Sequence, residues 1–169
     1  MNIHKLFRDT RYLEQQIQFF KKKKHIEEIQ ENNHLTKAHL NKSRHNMAFF
    51  KHNKNAQQFN DWLIVILYYS LYHSALALIT NKKYKSRNHH ATILILIQEY
   101  NIEQQDIELI NELSINKEDA ELYTTLKADR HDASYSTQAK FTPDTIDTYE
   151  KQVITFINKT EAILEQHNI

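Results

Sequence analysis

From residue 8 onward the apolar positions recur at spacings of three, four and seven, the repeat that lines side chains along one face of an α-helix. Leu13, Ile17 and Phe20 form one such stripe, continued by His25 and Ile29, so residues 8–28 read as a first helix. Glu31-Asn32-Asn33 interrupts it, since Asn takes the left-handed conformation most cheaply where Gly is not used. A second helix follows over 34–51, with Leu35, Ala38 and Phe49 as its apolar edge, and 53–55 reads as a loop. Residues 59–80 are apolar almost all round, which marks a central helix enclosed by the others. Residues 81–88 read as a basic loop. Residues 89–100 read as a fourth helix with a face of Ile93, Leu94 and Ile97; the run from Ile93 to Ile97 also suits a strand, but no partner strand is evident.

The remaining chain continues in helical rhythm. A short helix covers 106–113, another covers 117–131 with Ala120, Tyr123 and Leu126 on one side, and 134–141 reads as a loop. Thr142-Pro143-Asp144 is the sharpest boundary: a capping hydroxyl, a proline at the first helical position and an acid in the first turn. Ile146, Tyr149, Val153, Phe156, Ile157, Thr160 and Leu164 then follow at spacings of three and four. No repeat and no linker interrupts this pattern. The fold class expected is all-α, an antiparallel up-and-down helical bundle, with 1–169 one domain and 1–30 an additional N-terminal helix.

Composition narrows the chemistry. The 169 residues hold 22 Lys+Arg and 21 Asp+Glu, so any nucleic-acid binding needs a local patch rather than bulk charge. Absent Cys excludes disulfides, thiolate zinc sites and cysteine nucleophiles. Absent Gly excludes phosphate-cradling glycine loops. The first 20 residues carry Arg8, Asp9, Arg11 and Glu14 where a secretory signal would be apolar. The apolar run from Trp62 to Ile79 is interrupted by Ser70, His73 and Ser74, so it reads as a core helix, with no membrane partner and a cytoplasmic location expected.

Several clusters invite a function. His34, His45 and His52 share a helix face, but they stand about 10 to 16 Å apart at 1.5 Å per residue, too far for one metal. No metal site is expected. Lys21 to Lys24 is a solvated helix surface or a phosphate anchor. Residues 82–90 interleave Lys82, Lys83, Lys85, Arg87, His89 and His90 with Tyr84, a mixture that suits single-stranded RNA as well as an ordinary polar loop. Tyr69 and His73 are i,i+4 neighbours within the apolar helix, so an imidazole nitrogen is in reach of the phenol. Such groups either bond across the bundle or line a cleft. The densest segment is Arg130-His131-Asp132-Ala133-Ser134-Tyr135, which reads either as a charge-balanced helix end or as a site. In the second reading Arg130 grips a phosphate through its planar fork and His131 or Tyr135 moves a proton.

These residues carry a resemblance. Asp61-Trp62 followed by Tyr68-Tyr69-Ser70-Leu71-Tyr72-His73-Ser74-Ala75 resembles the helix of HEPN-domain proteins that reads roughly D-W-x-I-x-x-x-Y-Y-A-x-Y-H-A-A. His39 to Met47 is similar to that family's first core helix, and His90-Ala91-Thr92-Ile93 to its short H-x-x-I segment. Arg130 to Tyr135 is similar to the R-x-D-A-x-Y signature of an uncharacterised branch, and Phe156 to Leu164 resembles the closing helix. The resemblance spans residues 35–164.

It implies a bundle that forms homodimers. Many members are metal-independent ribonucleases, often toxins paired with a nucleotidyltransferase antitoxin, whose motif is Arg followed after four to six residues by His. Arg steadies the phosphate, His assists the RNA 2′-hydroxyl, and no cofactor is needed. Here Tyr135 stands where that His is expected, and Arg44 and His52 are too widely spaced to replace the pair. A phenol near pKa 10 is a poor base beside an imidazole near 6.5. Two readings follow: a non-catalytic or regulatory module linked to RNA or a nucleotide, with Tyr135 a position that could itself accept a nucleotide, or a metal-independent ribonuclease toxin using Arg130 with His131 or Tyr135.

Overall fold

The computed structural model describes residues 1–56, 59–100, 102–128 and 141–167. Their architecture is an all-α bundle with one small two-stranded sheet. In chain order the elements are α1 (Ile3–Arg8), α2 (Thr10–Lys22), β1 (Ile26–Glu28), α3 (Asn33–Asn53), a 3-10 turn (Lys54–Ala56), α4 (Asn60–Asn81), β2 (Tyr84–Ser86), α5 (His89–Glu99), α6 (Gln104–Ala128) and α7 (Pro143–Gln166).

Helix α4 is the axis of the molecule, and α3, α5, α6 and α7 all pack on it. It is long and apolar enough to cross a membrane, yet 78% of its apolar window is buried inside the fold. That is the behaviour of a core helix. Ile64, Leu67, Leu71, Ala75 and Ile79 are fully enclosed.

Helix α3 runs antiparallel to α4, with His39 beside His73 and Ser43 beside Ser70. The two helices meet through buried serines. Ser43 Oγ lies 2.8 Å from Ser74 Oγ, and Ser70 donates to the Ser43 carbonyl at 2.9 Å. Small side chains that bond one another let the backbones approach while leaving no buried hydroxyl unpaired. The inward face of α3 is therefore Thr36, Leu40, Ser43, Asn46, Met47 and Phe50. Of the edge expected from the sequence, Leu35 is half-buried while Ala38 and Phe49 turn outward, Phe49 51% exposed, because polar small residues fill the seam.

The helix expected over 8–28 holds only as α2, with a separate α1 before it and strand β1 in place of its last residues. Asp9 accepts from the Tyr12 N–H, caps α2 and ends α1, and α2 stops at Lys22. Lys24 takes φ 56°, with His25 N–H bonding Phe20 O and Lys24 N–H bonding Lys21 O. That is a Schellman closure built without glycine, and the Phe20–His25 ring contact completes it. Helix α4 closes similarly, with Lys83 at φ 65° and its N–H on Thr80 O. Each left-handed lysine turns the chain into a strand. The strands pair antiparallel as Ile26 with Ser86, Glu27 with Lys85 and Glu28 with Tyr84. Of residues 81–88, expected as a loop, Asn81 ends α4 and Tyr84–Ser86 form β2.

Helix α7 matches its sequence reading: Thr142 accepts from Thr145 N–H, Pro143 leads, and the seven predicted positions are buried. The two short helices expected over 106–131 are one helix from Gln104 through Ala128. Asn116, a residue that suits a break, instead donates to the Tyr149 hydroxyl at 2.8 Å and keeps the helix continuous. Leu6, Ile17 and Ile26 join the same buried cluster as α4, so the N-terminal elements are docked on the bundle.

Candidate functional site

The most chemically loaded face of the described chain lies along the middle of α4. Tyr68 and Tyr72, four residues apart on one helix face, stack with ring centroids 5.5 Å apart and planes 10° from parallel. Tyr69 meets Tyr68 edge-on at 5.2 Å. From α6, the Lys117 ammonium sits 5.7 Å from the Tyr68 ring and 5.6 Å from the Tyr69 ring, a cation held over two negative π faces. From the start of α5, His89 lies 6.1 Å from Tyr68 and 6.3 Å from Tyr72, and His90 packs against it at 5.6 Å. Asn88 caps α5 by accepting the Ala91 N–H at 3.0 Å, which fixes where both histidines leave the backbone.

Three imidazoles here, His39, His73 and His89, are biased toward the neutral form. His73 does not reach Tyr69; its Nδ1 lies 3.1 Å from Nδ1 of His39 on α3, with the rings 33° apart. One nitrogen donates and the other accepts, so at least one of the two rings is neutral. Burial pushes the His73 pKa down to about 4, helped by repulsion from His39 and Lys42. Burial also lowers His39. His89 is pushed down to about 4 by burial, with His90 and Lys117 adding repulsion, and neither of its ring nitrogens has a hydrogen-bond partner. Burial raises the Tyr72 phenol, partly offset by its contact with Thr92.

The α3–α4 register extends the face. Because residue 39 stands beside 73 and residue 43 beside 70, Phe49 comes level with Trp62. Phe49, Trp62 and Tyr69 are three of the large apolar side chains the fold leaves exposed, and Ile66 lies between the last two.

The sequence candidates distribute unevenly over this geometry. Tyr69, His73 and His90 belong to the α4 face or its immediate border. Lys85 lies in β2 opposite Glu27, and Arg87 is exposed in the link to α5. Arg130, His131, Asp132 and Tyr135 lie outside the described residues. Lys117 is a member that sequence reasoning missed, and no signal pointed to it; His89 was read only within the basic run 82–90, and His39 only as part of the second helix. The lysine run at Lys21–Lys24 is engaged locally: Lys21 pairs with Glu28 at 2.6 Å and lies over the Tyr84 ring. Among the described residues no three His, Asp or Glu side chains converge to hold a metal ion. No family model matches the chain, and no curated protein matches it.

Proposed function

We propose that this chain is a HEPN-like helical module that binds RNA or a nucleotide without cutting it. In this reading it is a cytoplasmic homodimer and the regulatory half of a toxin–antitoxin-type pair with a nucleotidyltransferase. The observation that carries the reading is the exposed aromatic edge of α4, where Trp62 and Tyr69 stand seven residues apart on one helix face. Burial pushes His73 and His89 down to about 4, so both favour the neutral form at pH 7. What the face offers is adhesion through the exposed rings of Trp62 and Tyr69, the kind of surface on which bases stack. Tyr135 in the position of the motif histidine agrees with this.

The test is to incubate the purified chain, alone, with a labelled single-stranded RNA. Retention of intact RNA, weakened about fivefold or more in Tyr69→Ala, supports binding without cleavage, since a base stacked on an aromatic ring contributes about 1–3 kcal/mol. Metal-independent cleavage that disappears in both Arg130→Ala and His131→Ala establishes the ribonuclease reading instead.

A further inference from the structure

Nδ1 of His39 on α3 and Nδ1 of His73 on α4 stand 3.1 Å apart across the seam between the two helices. A metal ion held about 2.0–2.1 Å from each of two imidazole nitrogens sets those nitrogens about 2.8–3.4 Å apart, from the square-planar to the tetrahedral angle. The observed spacing falls inside that interval. Core packing holds it there. Ser43, one turn along α3 from His39, lies 2.8 Å from Ser74, the residue after His73. Ser70, one turn before His73, donates to the Ser43 carbonyl at 2.9 Å. Ligands carried by two such locked helices are placed before any ion arrives. Comparing histidines along a single helix misses this pair, whose members are 34 residues apart on two.

Both rings are half-buried, so part of each faces solvent. Without a metal, one ring donates the single proton shared between the two nitrogens. The torsion that swings an imidazole about its Cβ–Cγ bond is broad and soft, so both lone pairs turn readily from each other to a common point. The shared proton then passes to Nε2 of its own ring; both rings stay neutral and no proton is released. Burial lowers both imidazoles, so protons compete weakly for the lone pairs at pH 7. Among the described residues no Asp or Glu joins the pair to form a three-ligand group. A donor set of neutral nitrogens suits copper, nickel or zinc and fails magnesium and calcium, which require oxygen ligands. The Lys42 ammonium repels positive charge at His73 and opposes any cation bound there.

We propose that His39 and His73 form a two-histidine chelate for a late first-row transition-metal dication, with water in its remaining positions, that ties α3 to α4. Copper(II) binds most tightly, as the usual order for nitrogen donors requires. The site stands whether or not the chain engages RNA. Calorimetric titration of the full chain at pH 7 with copper(II), zinc and magnesium chlorides tests it. Copper should bind more tightly than zinc, and magnesium should give no saturable binding. His39→Gln and His73→Gln should each remove the same one copper equivalent, and the double variant should remove no more, because one imidazole alone holds the ion about tenfold or more weakly than the chelate. Lys42→Gln, an exposed substitution, should tighten that equivalent about threefold by removing the repelling charge. An unchanged copper stoichiometry in either folded histidine variant, or magnesium binding as tightly as copper, would overturn the proposal. Should both histidine variants fail to fold, an unchanged or weakened copper affinity in Lys42→Gln does the same.

Discussion

Lys24 and Lys83 occupy left-handed backbone at φ 56° and 65° in a chain that contains no glycine. A side chain with a Cβ is strained there by about 1–2 kcal/mol relative to the right-handed region. Replacing Lys24 with Gly should therefore stabilise the fold by about 0.5–1 kcal/mol once the extra flexibility of Gly in the unfolded chain is offset, seen as a higher urea midpoint. An unchanged or lowered midpoint would contradict the strain. Neither position was legible in the sequence, because lysine carries no turn signal and the reading looked to Asn32 and Asn33 instead. The buried imidazoles make a second residue-scale prediction. In the unfolded chain His73 and His89 take up a proton near their ordinary 6.5, whereas in the fold they wait until about 4. Between those values the unfolded state binds more protons, so stability should fall as pH drops from about 6.5 to about 4 and flatten below it. His89→Phe removes one of the two groups and its unpartnered nitrogens. Denaturant titrations at pH 7 and pH 4.5 should show a smaller acid loss in that variant; an equal loss would remove His89 from the account.

Helices were legible as elements because each presents a repeated apolar face, and α7 was read to its cap and its seven buried positions. Thr142→Ala should cost about 1 kcal/mol through loss of the bond to Thr145 N–H, measurable by thermal unfolding. The strands were not legible. Each has three residues, too few for an alternation to show, and the partners lie some 60 residues apart with two helices between them, so no hairpin turn announces them. The inward face of α3 was misread because Thr36 and Ser43 look like surface residues until the serines of α4 supply their context. The same blindness hid half of the candidate site. Tyr69 and His73 stood out as polar breaks in an apolar run, but the partner of His73 is His39, 34 residues earlier on another helix. Ser43→Leu should overpack that seam and cost about 1–3 kcal/mol, and it should do so while Ala38→Leu, on the exposed side of the same helix, changes little.

Across the whole molecule, a net charge of +1 conceals a strong division. Residues 1–100 hold 16 Lys+Arg and 7 Asp+Glu, whereas residues 101–169 hold 6 and 14. The halves are tied by Arg44 to Glu161 at 2.7 Å and by Lys54 to Asp147 and Glu150 of α7. These pairs are partly solvated, so Lys54→Met should cost about 0.5–1 kcal/mol at low salt and less at high salt. The division leaves α3 with Lys37, Lys42, Arg44 and Lys51 and no acid, next to the exposed Phe49 and Trp62. The most direct test concerns whether the Arg130 signature and the α4 tyrosines form one site. A photoreactive benzoylphenylalanine in place of Tyr135 should cross-link to α4 between Ile66 and His73, in the same chain or in a second copy. Cross-links confined to other elements would contradict the account.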